Sequence, residues 1–171
     1  KIPDKRYHEG KNALLYRQAY KCLEAFFRNE ISNIKSDGEY EVLFTEKKLE
    51  HSFTINYNND LLDIIVKGKA DRIDKTSNGI RIIDYKSGFA QKRDVSLNNF
   101  SAFNRQSFSL QLMTYAYLYH SSFGNNNITS ALISLKNPKS NIIRLSYKKT
   151  ELLNSEIFIE FEDYLKTIIN S

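Results

Sequence analysis

Apolar residues recur every three or four positions from about Asn12 to Lys35. Leu15, Ala19, Cys22, Leu23, Phe26 and Phe27 thereby fall on one side of a helix. The turn signal Ser36-Asp37-Gly38 ends it. The period then shortens. Val42–Lys48, Ile64–Ile73 and Gly79–Lys86 are short β-branched segments separated by Asn- and Asp-rich turns, which predicts three strands in a meander. The stretch Ser87–Gln106 is polar and aperiodic and reads as a long loop of the kind that carries function. A second helix is expected from about Phe108 to Phe123, with Leu110, Met113, Tyr117 and Leu118 toward a core, and GNNN breaks it. Two strands, ITSALISL and NIIRLSY, follow around the turn KNPKS. A last helix spans roughly Thr150–Asn170, with Ile157, Phe161, Leu165 and Ile168 on one face. Helix, three strands, helix, two strands, helix is the order of a layered α/β or α+β domain. No internal repeat or low-complexity linker interrupts it, so residues 1–171 read as one domain.

Composition narrows the class without naming a function. At 171 residues, 41% hydrophobic and 26% charged, the chain is an ordinary globular protein with room for one core. No run approaches the roughly 18 consecutive apolar residues of a membrane span, and no charged-then-apolar leader opens the chain. The single Cys22 excludes an internal disulfide and any multi-cysteine metal site, and among Ala19, Leu23 and Phe26 it reads as a small buried hydrophobe. These features predict a cytoplasmic protein with no membrane association. A net charge of +5 permits a polyanionic partner without requiring one. The abrupt start at Lys1 reads as a piece of a longer polypeptide.

Candidate chemistry is concentrated in residues 66–88, VKGKADRIDKTSNGIRIIDYKSG. Strand alternation places Ile80, Ile82, Asp84 and Lys86 on one face. Two ionisable groups that follow two aliphatic ones on a packed face need a compensating partner. Folding the hairpin over KTSN in the register that pairs Ile73 with Ile82 sets Asp71 opposite Asp84. Directly opposed Cβ atoms lie about 4.5–5.5 Å apart, so the two carboxylates repel. Lys86 offsets part of that repulsion, and a divalent cation between the carboxylates would offset more. Magnesium suits such a site because it takes oxygen ligands and keeps several waters. Asp-x-Lys alone is a common tripeptide, usually a solvated strand edge. The aliphatic face and the second aspartate on the partner strand set this one apart. Lys92, Arg93 and Arg105 of the following segment could grip a phosphate backbone, and are equally well explained as solvated loop charges.

GKADRID, then DYKSG, then QLMTYAYLY, in that order over residues 68–119, resemble the RecB-like branch of the PD-(D/E)XK nuclease superfamily. The likeness is strongest to the C-terminal nuclease domains of AddB-type helicase–nuclease subunits and related exonucleases. The resemblance implies a restriction-endonuclease-like core, a central mixed β-sheet of about five strands flanked by helices. It implies that Asp71 is the first metal-binding aspartate, Asp84 the acidic ligand and Lys86 the catalytic lysine, with the Tyr85 carbonyl as a further metal ligand. Gln111 and Tyr115 match the Gln-x-x-x-Tyr pair beside the catalytic centre, and at i and i+4 they share a helix face. Arg72 and Asp74 complete DRID and are expected to pair with each other or to brace the hairpin. Glu46 lies where relatives carry a glutamate on the first strand, a supporting acid or a solvated charge. The implied cofactor is Mg²⁺ or Mn²⁺. The implied activity is phosphodiester hydrolysis of DNA, by an exonuclease joined to a helicase domain or subunit in DNA repair.

Two departures from the family pattern bear on activity. Relatives bring a histidine to the metal from a helix ahead of the sheet, whereas His8 here lies in a polar terminus and His51 and His120 read as surface residues. Several relatives end in a cysteine cluster for an iron–sulfur centre, which this chain lacks. A non-catalytic DNA-binding or scaffolding domain that kept the fold is the alternative from another class. A hydrolase of small phosphates is a third, made less attractive by the lack of a nucleotide-binding glycine loop.

Overall fold

The computed structural model describes residues 10–38, 40–136 and 142–170. Its dominant element follows from two adjacent asparagines. Asn58 and Asn59 adopt φ of 51° and 70°, the pair of left-handed residues that a tight hairpin turn requires and that asparagine tolerates. On either side of this turn run β1 (Glu41–Tyr57) and β2 (Asp60–Thr76), paired from Tyr57↔Asp60 back to Glu41↔Lys75. Each is 17 residues long, so the expected segments captured only part of each strand. Polar residues alternate with half-buried ones through the rest, because the outer reach of the hairpin is covered on one face only.

β3 (Gly79–Lys86) returns antiparallel to β2 with Ile73 opposite Ile82, the expected register, but around the two residues Ser77 and Asn78 rather than all of KTSN, since Thr76 already pairs with Gly79. The chain then crosses through α2 (Ser107–Phe123) to β5 (Ile128–Ser134), which lies parallel to β3. With β6 (Ile143–Arg144) this completes a five-stranded mixed sheet in the order β1-β2-β3-β5-β6. The strand read in NIIRLSY is divided at Leu145. Its first half pairs with β5, and its second half, β7 (Ser146–Tyr147), pairs in parallel with β4 (Ser96–Leu97) as a separate two-stranded ribbon. The turn at 137–141 lies outside the described residues.

The core is sealed on one face of the sheet by α2 and by α3 (Ser155–Ile169). Gly124 ends α2 in the left-handed conformation, its N–H returning to the His120 carbonyl. Asn154 opens α3 by accepting the Ile157 N–H at 3.1 Å. The segment Ser87–Gln106 is not the irregular loop that its polarity suggested. Two 3-10 turns, Lys92–Val95 and Phe100–Asn104, flank β4, and Ala90, Val95, Leu97, Phe100 and Phe103 are all buried. Phe100 stacks on Tyr147 with ring centres 4.5 Å apart.

The opposite face of the sheet receives α1 (Gly10–Asp37), and here the sequence reading needs correction. Phe26, Glu30 and Asn33 turn inward, while Leu15, Leu23 and Phe27 of the expected core face are 57, 48 and 60% exposed. The reason is that a charged residue, Glu30, is anchored under the helix by Arg72 of β2. No helix among the described residues is long and apolar enough to cross a membrane.

Candidate active site

β3 lies at the centre of the sheet, so its two faces meet different neighbours. Ile80, Ile82, Asp84 and Lys86 look toward α2, and Arg81, Ile83 and Tyr85 toward α1. Asp84 is 3% exposed, deep for a carboxylate. The β2–β3 ladder stops at Arg72↔Ile83, one step short of Asp71. A break in β1 lies beside this point. Phe44 stacks on Phe123 of α2, yet Leu49, five residues on, also enters the core, so alternation skips a position between them. Glu46, at φ 53°, is the residue that absorbs the skip, and the flanking pairs Thr45↔Arg72 and Lys47↔Ala70 place it across from Asp71. Beyond the end of the ladder, Asp71 takes the free valence of β3 with its side chain: its Oδ2 accepts the Tyr85 N–H at 2.8 Å.

Lys86 closes the cluster. Its Nζ stands 2.7 Å from Asp84 Oδ2, donates to Gln111 Oε1 at 2.6 Å and lies 5.3 Å from the centre of the Phe108 ring. Gln111 in turn donates from Nε2 to the Tyr115 hydroxyl at 2.7 Å. Phe108, Gln111 and Tyr115 recur on one face of α2, so one turn of helix after another supplies the wall around the ammonium. Tyr115 rests directly on the backbone of Gly68 in β2, where a Cβ would come within 2.8 Å of its ring. The glycine that begins GKADRID thus admits the ring that orients Gln111, a role its place in the motif did not disclose.

Burial raises the Asp84 carboxyl above the ordinary aspartate pKa; Lys86 pulls it back and the neighbouring Asp71 charge raises it again. Asp84 Oδ2 is buried, with the Lys86 ammonium as its close partner. A buried carboxylate beside a second carboxylate is the donor set of a hard divalent cation. With the Tyr85 carbonyl between Asp84 and Lys86, the residues fit an ion that retains several waters. They do not fit a closed cage, since no group of three or more His, Cys, Asp or Glu comes together among the described residues.

The other expected residues lie at varying distance from this centre. Arg72 and Asp74 are on the α1 face of the sheet, behind the carboxylates, where Arg72 Nε and Nη2 grip Asp74 at 2.8 and 2.9 Å. The Glu46 side chain is exposed and ion-paired to Lys69. Lys92 is tied to the Arg144 carbonyl at 2.9 Å and to Glu151 at 2.5 Å, whereas Arg93 and Arg105 are exposed. His51 is half-buried with its ring edge-on to Tyr117, and His120 stacks on Phe158, neither in contact with Asp71 or Asp84. His8 lies outside the described residues. A residue that sequence reasoning passed over is Glu30, 8% exposed on α1 and bonded to Arg72 at 2.9 Å.

The sequence comparisons agree with this geometry. The model of one family, the PD-(D/E)XK nuclease superfamily, matches residues 3–170. No curated protein matches the chain. A family match over nearly the full length coincides with two aspartates and a lysine gathered on a mixed five-stranded sheet between helices, the restriction-endonuclease-like arrangement, and the chain belongs to the PD-(D/E)XK nuclease superfamily.

Proposed function

We propose that the chain is a Mg²⁺- or Mn²⁺-dependent deoxyribonuclease. In this reading it acts as an exonuclease within a cytoplasmic helicase–nuclease protein of DNA repair. The observation that supports it is the convergence of Asp71, Asp84 and Lys86 at the open end of the β2–β3 ladder, with the Asp84 carboxylate buried against the Lys86 ammonium. The exonuclease and helicase parts rest on the RecB-like character of GKADRID, DYKSG and QLMTYAYLY.

A divalent ion held by Asp71, Asp84 and the Tyr85 carbonyl would supply Lewis-acid stabilisation of charge at the scissile phosphate. The chain's own groups do the rest. Lys86 carries its ammonium against the Phe108 ring, where screening by solvent is reduced and its charge can steady the negative charge that develops on the phosphate oxygens. Gln111 and Asp84 each stand against one ammonium proton and leave the third for the attacking water or the phosphate. Tyr115 fixes the Gln111 amide so that its oxygen, not its nitrogen, faces the lysine. Arg93 and Arg105 would contact the phosphate backbone without reading sequence, joined by Lys92 when it exchanges Glu151 for a phosphate.

Degradation of linear DNA in Mn²⁺ tests the reading. Wild type should cut, and Asp84→Ala and Lys86→Ala should each lose most of the activity. Cutting undiminished by both substitutions would refute the assignment. The placement of His51 and His120 away from the carboxylates favours one alternative, a DNA-binding domain that does not cut. That alternative predicts DNA binding with no cleavage in any metal.

A further inference from the structure

Behind the carboxylates lies a second group of charges that the reaction does not touch. Arg72, Asp74, Arg81 and Glu30 are each no more than 8% exposed. Asp74 holds both guanidinium groups, accepting from Arg72 at 2.8 and 2.9 Å and from Arg81 at 3.1 and 2.9 Å. The Tyr40 ring lies over both cations at 4.9 and 4.7 Å, and its hydroxyl donates to Glu30 at 2.6 Å. Two cations and two carboxylates balance, which accounts for the burial of all four.

Structural balance does not account for one further bond. Arg72 Nη1 donates to Glu30 Oε2 at 2.9 Å and also to the Tyr85 hydroxyl at 2.9 Å. Tyr85 is the residue whose N–H binds Asp71 and whose carbonyl sits between Asp84 and Lys86. Its main chain therefore belongs to the candidate metal site and its side chain to the charged group on the other face. Past Arg72↔Ile83 no ladder pair to β2 holds Tyr85; its β5 flank is paired, at Tyr85↔Ile133. On the open flank its orientation is set by Asp71, by Arg72 at the hydroxyl, and by the edge of Phe26 from α1 at 5.8 Å.

We infer that Arg72 and Glu30 are positioning residues for the metal site, acting through the Tyr85 side chain, and that α1 is thereby part of the machinery that orients the Tyr85 peptide. This rests on the reading of Asp71, Asp84 and the Tyr85 carbonyl as ligands. It adds that the site is aimed from the opposite face of the sheet. Outer partners that orient metal ligands are worth about 10-fold or more in metal affinity.

Calorimetric titration of the whole chain with Mn²⁺, alongside its melting temperature, tests the inference. Tyr85→Phe deletes only the hydroxyl, and Glu30→Gln removes the one of the two carboxylate charges on Arg72 that meets the same Nη1 as the Tyr85 hydroxyl. Each should raise the Mn²⁺ dissociation constant by about 10-fold. Tyr117→Phe removes a part-buried hydrogen bond to Glu162 on α3, unconnected to Tyr85, and should leave it unchanged. Asp84→Asn marks the site itself and should abolish the binding. If Asp84→Asn abolishes binding while Tyr85→Phe and Glu30→Gln keep wild-type affinity and only melt earlier, the positioning role is overturned and the metal site stands. If Asp84→Asn leaves Mn²⁺ affinity unchanged, the ligand reading falls and this inference with it.

Discussion

Adding one methyl group at Gly68 should impair a lysine that it never touches. The Cβ of Gly68→Ala would lie 2.8 and 2.9 Å from two ring carbons of Tyr115 and 3.1 Å from a methyl of Leu118. Carbon atoms settle at about 3.5–4.0 Å, so the ring must retreat by about 0.7 Å or more. Overpacking of this kind costs about 1–3 kcal/mol, or roughly 2–4 °C of melting temperature for each kcal/mol in a domain of this size. The Tyr115 hydroxyl receives Gln111 at 2.7 Å, and a shift of about 0.7 Å takes that bond beyond good hydrogen-bonding distance. Gln111 is then free to turn away from Lys86. One hydrogen bond of net worth about 0.5–1.5 kcal/mol corresponds to about a 2- to 10-fold loss in cleavage rate. The assay is a double-mutant cycle on cleavage of linear DNA, with Gly68→Ala, Tyr115→Phe and the pair. Because both act on the same hydroxyl, the pair should be little slower than the worse single variant. A Gly68→Ala protein that melts and cuts as wild type, or rate losses that simply multiply, would refute this chain of contacts.

Other substitutions separate function from stability. Asp84→Asn should abolish divalent-ion binding while melting at or above the wild-type temperature, because burial already disfavours the charged form of Asp84; calorimetry and thermal melting read both. The same raised carboxyl predicts that protons compete with the metal at higher pH than at an ordinary aspartate, so Mn²⁺ affinity measured from neutral pH downward should begin to fall before pH comes near 3.8. Asp74→Asn leaves two buried guanidinium groups short of negative charge and should cost about 3–5 kcal/mol in denaturant unfolding. Burial opposes ionisation of Glu162, but hydrogen bonds from Lys166 and Tyr117 outweigh it and hold its pKa below 4.5. Its stabilisation is therefore present above the unfolded value and disappears as pH falls through the lower folded value. The stability gap between wild type and Glu162→Gln should close there, and a gap constant from pH 7 to pH 3 would contradict the assignment.

Strand alternation was enough to place Asp84 and Lys86 on one face, and matching the aliphatic residues of the two strands was enough to set Ile73 against Ile82. Both are local properties, fixed within the span of one hairpin. The order of helices and strands was legible for the same reason. What stayed hidden depends on partners far along the chain. Helical periodicity in α1 shows that an apolar stripe exists, but which side meets the sheet is decided by Glu30, whose partner Arg72 lies 42 residues away. Arg72 and Asp74 were legible as a supporting pair, but their burial with Glu30 and Arg81 depends on all four charges meeting one another. The segment 87–106 hides its buried positions at 90, 95, 97, 100 and 103, a spacing with no helical or strand period. Glutamate carries no signal for a left-handed backbone, so the break at Glu46 could not be foreseen.

Everything in the proposed chemistry depends on a divalent ion sitting between two particular carboxylates. Anomalous diffraction from a crystal grown in Mn²⁺ addresses this directly. The account predicts a peak within coordinating distance of Asp71 and Asp84, facing the Tyr85 carbonyl, and its loss in Asp84→Asn. A peak at any other carboxylate with none between these two, or a peak that survives Asp84→Asn, would contradict it.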